Sequence, residues 1–345
     1  MKLFGKKTLA LALAALMALA LAACSGGTQT ASPTPTPTAT EPAAEPLKIG
    51  VIQYAPHPSL DNCYTGFLEG LADAGYVDGD NITVDFQNAQ GDMSTSDLIA
   101  KNMASSEYDL ILGIATPAAM SAYSATKEQG IPVVFCAVSD PLAAGLVESL
   151  DAPNTNCTGT SDVLNLEAQM KMIRAFLPDA KTIGVLYTTS EPNSVSHLAK
   201  FKELAPTYGF TIVDVGITSA SEVASGAATL VSKGVDCVNN FTDNNVVNNL
   251  ATLLHETDTA GIPVFGSEVE QVKNGCIASE SIDYVALGRQ TGAMAAKILS
   301  GEATPETMPV LSVSDTAPVY NEAVCKTLGI SLPADYADAE SVSAD

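Results

Sequence analysis

The sequence predicts an α/β protein of two lobes, each a parallel sheet covered by helices on both faces, joined by a multi-strand hinge. Three observations lead to this. From residue 47 onward, short apolar β-rich runs alternate with longer segments of helical period, the pattern of strands linked by crossover helices. The runs form two successive groups of similar size and rhythm. The chain has 345 residues; without its leader and tether about 290 remain, more than one hydrophobic core comfortably serves.

The first strand is expected at 48–53. The helix after it shows one apolar face, Leu60, Tyr64, Phe67, Leu68 and Leu71, and Gly75 stands where a left-handed residue closes a helix. A second strand at 82–86 completes a βαβ unit, and strands at 108–114 and 131–138 complete the first group. After 156–162 the second group follows, at 182–187, 210–215, 235–239 and 262–266. The apolar stretch 276–282 and a helix-like segment at 284–299 are expected to return the chain to the first lobe, so that several strands cross between the lobes. The division is 47–160 with about 283–311 in one lobe, 161–282 with about 312–335 in the other, and a flexible tail at 336–345.

Ahead of the body, Lys2, Lys6 and Lys7 precede a Leu/Ala run ending in Leu21-Ala22-Ala23-Cys24. The run falls short of the roughly 20 apolar residues of a spanning helix and has small residues before the cysteine. This is the pattern of a lipoprotein signal: residues 1–23 are removed and Cys24 takes the lipid, palmitate among its acyl chains. Residues 24–46 continue as Ser-Gly-Gly and a Thr-Pro alternation, a composition that stays extended and solvated. The body is thereby tethered at the outer face of the cytoplasmic membrane.

Composition excludes several classes of function. The net charge is −23, and losing a leader with three lysines and no acidic residue takes it to −26; such an excess repels phosphate backbones, so no nucleic-acid partner is expected. Six cysteines besides Cys24 show no Cys-x-x-Cys pair and are expected as buried free thiols. His57, His197 and His255 are the only histidines, none near another His or Cys at ligand spacing, so neither metal nor other cofactor is expected. There is no Gly-x-Gly-x-x-Gly or Walker loop and no Gly-x-Ser-x-Gly elbow. His57 near Ser59 and Asp61 could be drawn as a triad, but the spacing is that of a helix start, and no catalytic residue is expected.

Two lobes in tandem place ligand groups on loops at the carboxyl ends of strands. After the first strand comes Gln53-Tyr54-Ala55-Pro56-His57-Pro58-Ser59-Leu60-Asp61; after the third, Thr116-Pro117-Ala118, with Thr116 as cap and Pro117 at the first helical position. That helix start offers N–H groups and a positive dipole end to a carboxylate. Ser139 and Asp140 follow the fourth strand. In the second lobe Glu191 and Asn193, then Asp243 and Asn244, then Glu268 stand in equivalent loops, with Asp243 and Glu268 placed to meet a ligand ammonium.

These segments resemble the ABC-transporter substrate-binding lipoproteins of the tryptophan/tyrosine-binding family. The match runs in order from Ile52-Gln53-Tyr54 and His57-Pro58-Ser59-Leu60-Asp61 through Asp85-Phe86-Gln87-Asn88-Ala89-Gln90-Gly91-Asp92, Ile114-Ala115-Thr116-Pro117-Ala118-Ala119 and Val138-Ser139-Asp140-Pro141. It continues with Gly159-Thr160-Ser161-Asp162, Gly184-Val185-Leu186-Tyr187, Glu191-Pro192-Asn193-Ser194 and Asp243-Asn244. The resemblance implies the type I periplasmic-binding-protein fold of two Rossmann-like lobes. It also implies a monomeric receptor that captures a small ligand, tryptophan, tyrosine or phenylalanine, for an ABC permease driven by a cytoplasmic ATPase. Carried over, it makes Thr116 and its neighbours the carboxylate site, Asp243 the ammonium partner, and Tyr54, His57 and Leu60 walls for the ligand side chain, with Ser161 and Asp162 at the cleft. Ala55-Pro56 departs from the bulkier or acidic residue expected before His-Pro. The alternatives are a sensing receptor that signals to a membrane partner and an extracellular enzyme on the same fold.

Overall fold

The computed structural model describes residues 45–343; Cys24, the leader and most of the tether lie outside the described residues. The first group of elements is β1 (Leu47–Gln53), α1 (Pro58–Asp73), β2 (Ile82–Asn88), α2 (Met93–Ala104), β3 (Leu110–Ile114), α3 (Thr116–Thr126), β4 (Val133–Cys136) and β5 (Cys157–Asp162). The second is α4 (Leu166–Phe176), β6 (Thr182–Thr188), α5 (Pro192–Leu204), β7 (Thr211–Ile217), α6 (Val223–Ser232), β8 (Cys237–Asn239), α7 (Asn244–Asn248), α8 (Leu250–Ala260), β9 (Val264–Phe265), α9 (Val269–Lys273) and β10 (Ala278–Ser281). The chain closes with α10 (Tyr284–Leu299), β11 (Leu311–Val313), β12 (Ala317–Tyr320), α11 (Glu322–Leu328) and β13 (Glu340–Ser341).

The first sheet is parallel throughout, ordered β11-β5-β4-β3-β1-β2, and the second, also parallel, is β7-β6-β8-β9. The central strands β3 and β4 are buried along their full length, as helices on both faces require. Strand β5 also is wholly buried, yet its sequence is Cys-Thr-Gly-Thr-Ser-Asp. Its hydroxyls are satisfied: Thr158 donates to the Met308 carbonyl at 2.8 Å and Thr160 pairs with Thr291 at 2.7 Å.

Strand β10 pairs antiparallel with β12 in a third sheet, β10-β12-β13, and lies beside β9, where Ile277 N–H donates to the Val264 carbonyl at 2.7 Å and Gly266 N–H to that of Ala278 at 3.0 Å. Between Ser281 and Tyr284 the chain passes from β10 to α10, which packs along α1. Their backbones nearly touch: Cβ atoms added at Gly66 and Gly288 would lie 2.0 Å from the Val285 carbonyl oxygen and 2.2 Å from that of Cys63. Gly70 and Gly292 repeat this one turn on. The expected tail from 336 is not free along its described length. Glu340 and Ser341 pair with Val319 and Tyr320, and Tyr336 lies against Phe176. Cys63, Cys136, Cys157, Cys237, Cys276 and Cys325 are all buried free thiols.

Candidate functional site

Strands of both parallel sheets end toward one shared cavity. From the first group come His57, Ser59 and Leu60 at the start of α1, Ala115 and Thr116 at the start of α3, Ala137 and Ser139 after β4, and Asp162 ending β5. Facing them are Asn193 on α5, Thr242, Asn244 and Val247 around α7, and Glu268 after β9; Tyr284 opens α10.

Local sequence explains why these segments can receive a ligand. Helices α1, α3 and α5 each begin with proline at the first or second position and have no side-chain cap, whereas α2, α4 and α11 are capped by Asp92, Asn165 and Asn321. An uncapped start leaves first-turn N–H groups and the positive end of the dipole for an anion. Helix α3 begins one residue earlier than expected: Thr116 is its first residue, Pro117 its second, and Ala115 occupies the cap position with φ 75° and ψ 155°. Ala137, across the cavity floor, has φ 57°. Two alanines in backbone regions that favour glycine, both lining one cavity, mark backbone held in place by its surroundings.

The cavity's electrostatics are anionic at two points. Asp162 accepts hydrogen bonds from Ser139 Oγ at 3.0 Å and Tyr284 Oη at 2.8 Å, which fix its orientation; burial pushes its carboxyl up to about 6 despite these donors. Glu268 is 1% exposed, and neither of its oxygens has a hydrogen-bond partner. Burial pushes it up to about 8. Among the described residues no lysine or arginine lines the cavity. Burial lowers the His57 imidazole to about 4, more than Asn244 and Asp61 nearby offset, so it is neutral. Four further polar atoms of the wall are buried without partners: His57 Nδ1, Ser59 Oγ, Asn193 Oδ1 and Thr242 Oγ1. Buried polar groups in folded proteins are nearly always paired, so this group of unpaired atoms around one space marks a candidate site for a polar ligand. With Ser59 Oγ unbonded, no base activates it, and the triad drawn on paper does not form.

Of the residues expected from sequence, the structure brings His57, Leu60, Thr116, Ser139, Asp162, Asn193, Asn244 and Glu268 to the cavity wall. The others stand behind it. Asp243 corrects the expectation most directly: its carboxylate is buried and accepts from Thr188 N–H at 2.6 Å, Thr188 Oγ1 at 2.8 Å, Ser194 Oγ at 2.7 Å and Val246 N–H at 3.1 Å. It caps α7 and has no capacity left for a ligand ammonium. Tyr54 is buried, and its hydroxyl donates to the Gly91 carbonyl at 3.0 Å. Gln53 donates its Nε2 to the Ala55 carbonyl and to Asp61 while its buried Oε1 has no partner, and Ser161 donates to the Ser139 carbonyl at 3.3 Å. Pro117 and Ala118 are buried in the first turn of α3. Glu191 accepts from Asn244 N–H and Nδ2 and from Asn193 Nδ2, and burial with Asp243 nearby pushes it up to about 8. Asp140 lies at the rim, bonded to Ser196 and Lys200 of α5.

Ser59, Ala115, Ala137, Thr242, Val247 and Tyr284 were not anticipated. Each adjoins or lies near a residue that was, except Tyr284. Tyr284 follows Asp283, which caps α10, and a capped helix start was the available signal.

Comparison with known proteins gives the same picture. Residues 48–342 match the family described as ABC transporter substrate binding protein. A tyrosine-binding protein of Clostridioides difficile is 40% identical over 280 residues, covering 81% of this chain and 80% of that one. A Streptococcus pneumonia ABC domain solved with L-Trp is 36% identical, with TM-score 0.83 over 87% of this chain and all of that one. The ligand-free, open structure of a Clostridium difficile substrate-binding protein with adhesive properties is 42% identical over the same shares, but has TM-score 0.65. The fold thus matches the liganded relative better than the open one that is nearer in sequence, in keeping with the cross-cleft bonds of Asp140.

Proposed function

Because the chain belongs to the family of ABC transporter substrate-binding proteins and has the type I periplasmic-binding-protein fold, we propose that this substrate-binding component captures an aromatic amino acid between its lobes for a membrane permease. The observation that carries the ligand class is the arrangement of unpaired groups around the cavity. Uncapped helix starts on α1 and α3 suit a carboxylate. Asp162, held by Ser139 and Tyr284, suits an ammonium beside it. Leu60 and Val247 supply apolar wall. The tyrosine- and tryptophan-binding relatives support the same class.

Both lobes contribute to the wall, so ligand contacts favour the closed state, and that state is the one a permease distinguishes from the open receptor. We assign 47–160 with the α10 segment to one lobe and the chain around the second sheet to the other. The protein is proposed to be monomeric and extracytoplasmic, held to the outer face of the membrane by a lipid on Cys24; Cys24→Ala should release it into the medium.

The direct test is a thermal-shift screen of the purified protein against the amino acids. A ligand that binds only the folded state adds about 2.7 kcal/mol at a hundredfold excess over its dissociation constant. The expected result is a shift with an aromatic amino acid that is lost in Asp162→Asn. A shift with no amino acid would overturn the ligand class. The chain contains no tryptophan, so indole fluorescence in the complex reports bound L-tryptophan alone.

A further inference from the structure

Asp162 and Glu268 reach the cavity from different sheets, at the end of β5 and after β9. Asp162 ends β5 in the first sheet, the sheet whose β3 leads into the uncapped α3, and its orientation is fixed by Ser139 and Tyr284. A carboxylate at α3 and an ammonium at Asp162 therefore both bind on this side. An amino acid held there leaves Glu268, which comes from the second sheet, to its side chain.

The wall that carries Glu268 is built, not incidental. Gln271 Oε1 accepts from Ser267 N–H at 3.3 Å and Asn240 Nδ2 at 3.0 Å, while Gln271 Nε2 donates to the Phe241 carbonyl at 3.1 Å. Ser267 Oγ donates to the Asn240 carbonyl at 2.8 Å. The loop is braced on three sides, yet the carboxylate it presents has no donor on either oxygen. Leaving a buried carboxylate unpaired is costly, and the cost persists in any complex that brings no donor to it.

Resting on the proposed amino-acid reading, we infer that Glu268 is a specificity residue: it accepts a hydrogen bond from an O–H or N–H on the ligand side chain, so the receptor selects tyrosine or tryptophan and rejects phenylalanine. Phenylalanine fits the apolar wall but leaves Glu268 unpaired. Burial, with Glu270 and Asp162 nearby, raises its pKa more than the Gln271 side chain offsets.

Isothermal titration of the purified protein with L-tyrosine, L-tryptophan and L-phenylalanine tests this without any substitution. The expected result is a preference of at least about 100-fold for tyrosine or tryptophan over phenylalanine, since a site built to pair a donor rejects the analogue that lacks it. In Glu268→Leu the ratio should collapse to within about threefold, chiefly by a gain for phenylalanine. Wild-type protein that binds phenylalanine within a few-fold of the better of the other two would overturn the role of Glu268 and leave the amino-acid receptor intact. Binding of none of the three would overturn both.

Discussion

Ser196, on α5, donates a hydrogen bond to the Asp140 carboxylate across the cleft at 2.5 Å, and Lys200, one turn on, lies 3.3 Å from the same oxygen. Burial opposes the charge on Asp140, but these donors and Ala143 N–H hold its carboxyl below the usual carboxylate range. A second contact, Asn62 Nδ2 to Glu270 Oε1 at 3.4 Å, joins α1 to α9. Opening the lobes must break both.

Asp140→Ala should therefore weaken ligand binding by about tenfold without touching the cavity, because it removes contacts that exist only when the lobes are together. Solution scattering should show a larger radius of gyration for the ligand-free variant. Affinity and radius both equal to wild type would show that the rim contacts contribute nothing to closure.

Asp162→Asn should lower affinity for every amino acid ligand by about 100-fold or more, since a buried ammonium then meets a neutral partner. Tyr284→Phe removes one of the two bonds that orient the carboxylate and should cost much less, about fivefold, near the net value of a single hydrogen bond. Calorimetric titration separates the two. Equal losses would place Tyr284 itself in contact with the ligand.

Ligand-free protein should lose thermal stability as pH rises from 6.5 to 8. Glu268 and Glu191 are pushed up to about 8 from a usual 4.5, and Asp162 to about 6 from 3.8. Each folded value lies above the unfolded one, so the stabilising effect is complete below the unfolded value and is lost as pH rises through the folded value. Glu270 and Asp162 act on Glu268 in the same direction. His57 and His197, lowered by burial to about 4 and 3, act at the other end: their contribution is present above the usual 6.5 and lost as pH falls. Calorimetric scans should thus show a fall between about pH 6.5 and 8, where the histidine contributions are already complete, and Glu268→Gln should flatten it. A melting temperature that climbs from pH 6.5 to 8 would contradict the assigned burial of these carboxyls.

Gly66→Ala or Gly288→Ala should destabilise the fold by about 3 kcal/mol, the upper range for overpacking, because the added methyl meets backbone rather than a side chain that can turn away. Urea denaturation with an unchanged slope would report this as a fall in midpoint.

Apolar runs made β1 to β4 and β6 legible, and Leu60, Phe67 and Leu71 do form the buried face of α1. Strand β5 was hidden. Cys-Thr-Gly-Thr-Ser-Asp carries no apolar signal, and its burial depends on partners as remote as Thr291 and Met308. Gly159 within it has φ 156° and sits so close to Phe135 that an added Cβ would lie 2.1 Å from the Phe135 carbonyl oxygen. The site was legible as a set of helix starts. Which starts face the cavity was not: Asp243 and Glu268 occupy equivalent positions before short helices, and only tertiary neighbours decide that Thr188 and Ser194 satisfy one and nothing satisfies the other. Tyr54 Oη and Gln53 Nε2 likewise have partners that only tertiary structure supplies, within their own lobe.

The contact between α1 and α10 bears on how such a receptor changes its ligand. His57, Ser59 and Leu60 stand at the beginning of one helix and Tyr284 at the beginning of the other. Gly66, Gly70, Gly288 and Gly292 lock the two backbones together more than a turn further along. The angle at which these wall residues are presented is thus written in glycines that never meet the ligand. Exchanging Leu60 or Ser59 alters the surface and leaves the frame alone, so ligand preference can drift one residue at a time while the geometry of the pocket is inherited unchanged.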